Sequence, residues 1–296
     1  MKYCYERHAF RADSLRMIEQ AEAIMDEYAA EGFDLTLRQL YYQFVARGLL
    51  VNTERNYKQL GSVVSKARLA GLLHWNLMVD RTREVRQLSH WDGPADIVRT
   101  CAEEYRIDVR ADQPYYIEVW VEKDALAGVV VPLCQELDVA CLVCRGFVSQ
   151  SALWQGALRF GHRRSQDCVL VYLGDHDPSG IDMTRDIRER LNLTFGTRVD
   201  VQRIALTMEQ IEEYSPPPNP AKITDSRYAS YVQEYGDDCW ELDALDPRTL
   251  RNTILAAILP LTNLAKLKAQ ERKQRAGRKQ LAGIAERLEE DPKWKP

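Results

Sequence analysis

In "VYLGDHDPSG", residues 171–180, two aspartates, Asp175 and Asp177, stand one residue apart at the end of an apolar run. Side chains alternate along an extended backbone, so both carboxylates face one side. They repel unless a cation lies between them or one takes up a proton. Hard oxygen donors in this arrangement suit a divalent ion such as magnesium. The competing reading is a solvated turn with an acidic helix cap, because Pro178, Ser179 and Gly180 break the strand ahead of a helix expected from Ile181. A second stretch, "VEKDAL" at 121–126, ends another apolar run on Glu122. Three acids brought to one place would make a magnesium (Mg2+) site of Glu122, Asp175 and Asp177.

The surrounding elements decide whether they meet. From about residue 112 the runs "YYIEVWV", "VACLVC", "CVLVYLG" and "VDVQRIAL" alternate with helix-like stretches near 124–137, 150–162 and 180–192. This rhythm implies a parallel α/β sheet of βαβ units, in which sites gather at the carboxyl ends of the strands. Glu122 and the Asp175–Asp177 pair both fall at such ends. "SPPPNP" at 215–220 reads as a stiff connector, and the remainder reads as mostly helical.

Upstream, residues 10–31 read as a helix, and Thr36 offers the cap of a second. Leu37, Leu40, Tyr41, Phe44 and Val45 recur there at helical spacing. After the linker "VNTERN", a third helix, 57–73, carries the stripe Leu60, Val63, Val64 and Ala67. Residues 74–94 read as a partly strand-like, arginine-rich wing. Helix, turn, basic helix and wing predict a winged-helix domain over 1–110, with Lys58, Lys66 and Arg68 as candidate contacts to double-stranded DNA. Residues 111–296 form the α/β domain with a helical, basic C-terminal extension.

Composition sets the bounds. The chain has 296 residues, 45% hydrophobic and 28% charged, enough for one large or two medium domains. No run of about 18 apolar residues is present, so no membrane span is expected, and the N-terminus lacks an apolar signal core. Seven scattered cysteines suit reduced thiols and a cytoplasmic setting. Cys141 and Cys144 lack a second ligand pair and read as buried strand cysteines. The net charge is −4, yet residues 36–86 hold nine basic residues against three acidic, and 266–279 hold seven against Glu271 alone. A locally basic, globally acidic chain suits a polyanion held at defined places. Solvated helix faces are the alternative.

Taken in order, "RQLYY" (38–42), "VEKDAL", "GDHDPSGID" (174–182) and "WELDAL" (240–245) resemble the A subunit of topoisomerase VI and its relatives that make meiotic double-strand breaks. The resemblance covers about residues 30–255. It implies a winged helix followed by a Toprim-type fold, a magnesium-dependent transesterification that breaks both DNA strands, and a homodimer in which each tyrosine works with the partner's metal site. It also implies Tyr42 as the nucleophile and Glu122 as a catalytic acid. The helical wheel agrees about the tyrosine: Tyr41 lies on the apolar stripe, whereas Tyr42 is turned about 100° from it towards Arg38. An exposed tyrosine beside an arginine suits attack on a phosphodiester, because the cation holds the phosphate and favours the phenolate.

The chain also departs from that family. It has no ATP-binding motif, so duplex passage would need a separate ATPase B-type subunit. It is shorter than typical A subunits, and the glycine-lysine-glycine block expected between the signatures is present only loosely, as "CRGFVSQSAL" (144–153). A solitary version, virus-encoded or nucleoid-associated, fits these departures best. Two other functions stay open: a Toprim nuclease that hydrolyses DNA with water, and a DNA-binding protein that does not cut.

Overall fold

The structure, a computed structural model, describes residues 2–78, 88–163 and 165–290. Helix α1 (Ala12–Ala30) buries Met17, Ile18, Ala21, Ile24, Met25 and Tyr28, one face at helical spacing. Thr36 caps α2 (Leu37–Ala46) in a reciprocal capping box with Gln39. Helix α3 (Glu54–Leu69) starts earlier than the apolar pattern suggests, because Thr53 accepts from the Asn56 N–H and caps it inside the expected linker. The three helices share a core built on Leu35, Leu40, Phe44, Leu60, Val64 and Leu73. At the start of the expected wing Trp75–Leu77 form a short 3-10 turn and Met78 makes a single bridge to Leu35; residues 79–87 of the wing lie outside the described residues. After it comes α4 (Pro94–Glu104), opened by a proline in its first turn, where no hydrogen bond is lost. Sequence reading assigned no element there.

The centre of the molecule is a four-stranded, wholly parallel sheet. Strand β1 (Tyr115–Val121), α5 (Ala127–Glu136), β2 (Ala140–Val143), α6 (Gln150–Gly161), β3 (Asp167–Leu173), α7 (Pro178–Glu189) and β4 (Val199–Ala205) follow as βαβ units, with spatial order β2-β1-β3-β4. Alternation along the strands builds two cores. Ile117, Val119, Val121, Val169, Val171 and Leu173 face α5, while Trp120, Leu170, Tyr172 and Val201 face α6 and α7.

Downstream, α8 (Met208–Tyr214) leads into "SPPPNP", which is not only a connector. Its last residues form β5 (Asn219–Pro220), antiparallel to β6 (Asp238–Cys239), with α9 (Tyr228–Tyr235) between them. Helix α10 (Pro247–Ile258) sets Leu250, Ile254 and Ile258 into the α5-side core. Helix α11 (Leu264–Glu290) then packs along α4, where Gln274 accepts from the Ile107 N–H at 3.0 Å and Arg278 donates to the Tyr105 carbonyl at 2.9 Å. The fold is thus mixed α/β with a parallel sheet and many helices. All seven cysteines are free thiols, and Cys141 and Cys144 are half-buried rather than buried. Among the described residues no helix is long and apolar enough to cross a membrane.

Candidate active site

Strands β1 and β3 pair in register from Tyr115–Asp167 to Val121–Leu173, so both chains leave the sheet at one height. The Glu122 N–H extends the ladder to the Leu173 carbonyl at 2.8 Å, and the Glu122 carboxylate accepts the Asp175 N–H at 2.9 Å. Two glycines allow this close approach. A Cβ at Gly174 would lie 2.8 Å from the Glu122 carboxylate, and one at Gly180 would lie 2.2 Å from the Asp175 carbonyl. Asp177 fulfils the cap reading: its Oδ1 accepts the Gly180 N–H at 2.6 Å, and α7 begins at Pro178, not at Ile181.

Residues far along the chain complete the site. His176 exchanges two backbone hydrogen bonds with Trp240, each 2.9 Å, and so lays residues 240–244 across the carboxyl edge of the sheet. The Leu242 N–H then donates to Asp175 at 2.7 Å. Glu241 and Asp243 arrive beside Asp175, and Lys123 Nζ sits among all three, at 3.0 Å from Asp175, 2.9 Å from Glu241 and 2.8 Å from Asp243. Arg203, half-buried near the end of β4, donates to the Gly174 and Asp175 carbonyls and to Thr184, which fixes the turn from behind.

From the other side, α2 presents Arg38 and Tyr42. Arg38 pairs with Glu241, and its Nε lies 2.8 Å from Asp243 Oδ2, a contact of charge without hydrogen-bond alignment. The Tyr42 hydroxyl donates to Glu241 at 2.9 Å. This corrects the outward placement expected for Tyr42, which is only 5% exposed. The wheel identified the face that packs on α1 and α3, but residues 240–244 cover a second face of the same helix. Arg38 favours the phenolate as expected but does not prevail. Burial, then Asp243 and Glu241, push the Tyr42 phenol above its ordinary range, and Arg38 only partly opposes them. Tyr42 still lines a recess of about 200 Å³ with Arg38, Asn52, Tyr57, Asn219 and Glu241.

Five carboxylates (Glu122, Asp175, Asp177, Glu241, Asp243) therefore meet three cations (Arg38, Lys123, Arg203). Burial, opposed by Lys123 and reinforced by Glu122, raises Asp175 to about 7. Glu122 is raised as well, by burial first and by Asp177 among its neighbours. Burial also acts to raise Glu241, but Lys123 and Arg38 overcome it and hold that carboxyl at about 2. The excess of acid and the oxygen-only donors suit magnesium, which commonly takes one or two carboxylates and keeps several waters. Among the described residues no group of three or more acids, histidines and cysteines is placed to hold an ion as the side chains stand. Asp177 caps its helix, and Lys123 already occupies one side of Asp175.

The three expected DNA contacts make none with this network. Lys58 pairs with Glu54 at 2.7 Å, and Lys66 is exposed. Arg68 turns inward instead, over the Trp75 ring and onto the Trp75 carbonyl at 2.9 Å, so it does not share the lysines' solvent face. Sequence reading missed Glu241, Asp243 and Lys123 as site residues, although two quoted motifs contain them. Arg203 had a signal of its own, a lone cation inside the apolar run "VDVQRIAL". No protein-family model matches this chain, and no curated protein matches it.

Proposed function

We propose that this chain is a magnesium-dependent DNA-cleaving enzyme that works by tyrosine transesterification, similar to the topoisomerase VI A subunit and built from a winged-helix and a Toprim-type unit. One observation carries the reading. The candidate nucleophile from α2 and the candidate metal acids from the sheet edge belong to a single network, Tyr42–Glu241–Lys123–Asp175. Four distant sequence blocks have no packing need to converge there.

In this reading Glu122 and Asp175 hold the ion, with Asp177 completing the set. Bound magnesium would position the phosphate and favour departure of the 3′ oxygen. Arg38 leaves Glu241 for the incoming phosphate. Losing that cation raises Glu241 from its depressed value, so it becomes a better acceptor for the phenolic proton it already receives. The tyrosyl oxygen forms a bond to phosphorus, the bond from phosphorus to O3′ breaks, and the 3′ oxygen takes a proton from solvent. The chain remains on the 5′ end. A pair of such chains would cut both strands.

The test is a reaction of labelled plasmid with protein and magnesium, stopped in denaturant. Wild type should carry label covalently, and Tyr42→Phe should bind DNA without doing so. The burial of Tyr42 favours one competing reading, hydrolysis by water at the same acids. In that case Tyr42→Phe cuts at nearly the wild-type rate and leaves a free 5′ phosphate.

A further inference from the structure

We propose that the solvent face of α11 is a second, sequence-independent contact for duplex DNA. The inference rests on the DNA-cleaving reading and adds a surface outside the site described above. Lys268, Arg272, Arg275 and Lys279 follow one another at spacings of four, three and four residues. At 100° per residue they fall within about 60° of one another, a single line of charge. All four are exposed, and among the described residues none has an acid within ion-pair distance. The opposite side of the helix is engaged with α4 and the segment after it, through Gln274, Arg278 and the buried Ala285. Packing therefore does not account for the cations, and their regular spacing places them where a partner can reach all four together.

The chemistry of the line selects the partner. It spans about 16 Å at 1.5 Å per residue, matching a stretch of duplex that carries roughly nine or ten phosphate charges. The residues between the cations, Glu271, Ala276 and Gln280, are small or polar, and a single exposed apolar side chain, Leu264, stands one turn before Lys268 on that face. A helix lying in a membrane surface instead sets large apolar side chains beside its cations. Charge on α3 is less available, because Lys58 is already paired with Glu54. The α11 line thus provides the larger unpaired charge on one element, a backbone clamp that fixes no base sequence.

The test is fluorescence anisotropy of a short labelled duplex with the full chain over a series of salt concentrations, for wild type and for the combined Lys268→Ala, Arg272→Ala, Arg275→Ala and Lys279→Ala variant. Removing four phosphate contacts should reduce the slope of log affinity against log salt by about three to four. It should weaken binding at low salt by at least tenfold and leave the melting temperature unchanged. An Arg272→Lys, Arg275→Lys variant, which keeps the charge, should retain the wild-type slope. If wild type binds and the alanine variant shows the same slope, the α11 contact is overturned while the DNA-cleaving reading stands. A wild type that binds no duplex at any salt overturns both. Tighter binding to phosphatidylserine vesicles than to duplex also overturns the assignment.

Discussion

Glu118 and Glu122 share one face of the same extended segment, four residues apart, yet their carboxylates are treated differently. Glu118 is 1% exposed and fully matched: it accepts from the Tyr116 hydroxyl at 2.8 Å, the Trp120 indole at 2.8 Å and the Arg159 guanidinium at 2.7 and 2.8 Å. Glu122, at the strand end, accepts one backbone N–H, and burial, then Asp177, raise its pKa against the opposing pull of that N–H, Lys123 and Arg203. A buried acid whose lone pairs are all engaged holds structure together. One with lone pairs in reserve, at the carboxyl end of a parallel strand, is poised for a ligand. The difference separates framework from candidate site without reference to any relative.

The largest expected effect tests the framework side. Glu118→Ala leaves the buried Trp120 N–H without a partner and removes both bonds to Arg159, at a cost of about 3 kcal/mol. Urea unfolding would measure it. A loss below about 1 kcal/mol would remove the distinction between the two glutamates. Next comes Asp177, which has both roles. Asp177→Ala should lose about 1 kcal/mol with its cap, whereas Asp177→Asn should keep the cap and still lose scission. Scission by the asparagine variant would leave Asp177 a cap and nothing more. Smaller still is Glu122→Gln, which relieves a buried charge held against its neighbours. It should melt no lower than wild type while failing to cut in magnesium, and a marked drop in melting temperature would make Glu122 another Glu118.

The remaining effect is one of pH. Burial, then the charge of Arg203, hold His176 at about 4, below the roughly 6.5 of an unfolded chain. Between these values the unfolded chain binds more protons. The contribution is therefore complete above about pH 6.5 and is lost as pH falls towards 4. Asp175, raised to about 7, acts the other way in the same window, because the folded chain takes up its proton first. The difference between wild type and His176→Gln isolates the histidine. The wild-type melting temperature should fall more steeply than the variant's from pH 6.5 to 4.5, and parallel curves would place His176 in a less buried setting.

Much of this was legible in residue order. The alternating apolar runs specified a parallel sheet, and the strand-end rule placed Glu122 and Asp175 together, since both depend on local pattern and short-range connection. Glu241 and Asp243 were not legible. They reach the site through a backbone pairing between His176 and Trp240, which no periodicity encodes. The burial of Tyr42 was hidden for the same reason, because a helical wheel reports an apolar face and cannot report a second face covered by a polar segment. Glu118 did carry a signal, a lone acid within "YYIEVWV", where only a dedicated set of donors makes burial tolerable.

The central claim is that Tyr42, and not its neighbour, is the attacking group. Tyr41 is engaged already: its hydroxyl accepts the Thr53 N–H at 2.7 Å and donates to the Thr53 carbonyl at 2.9 Å. The most direct measurement is to treat the products of a magnesium reaction with nuclease and trypsin, then sequence the tryptic peptide Gln39–Arg47 by mass spectrometry. The account predicts a nucleotide attached through its 5′ phosphate to Tyr42. Cut DNA with an unmodified peptide, or a nucleotide on Tyr41, would contradict it.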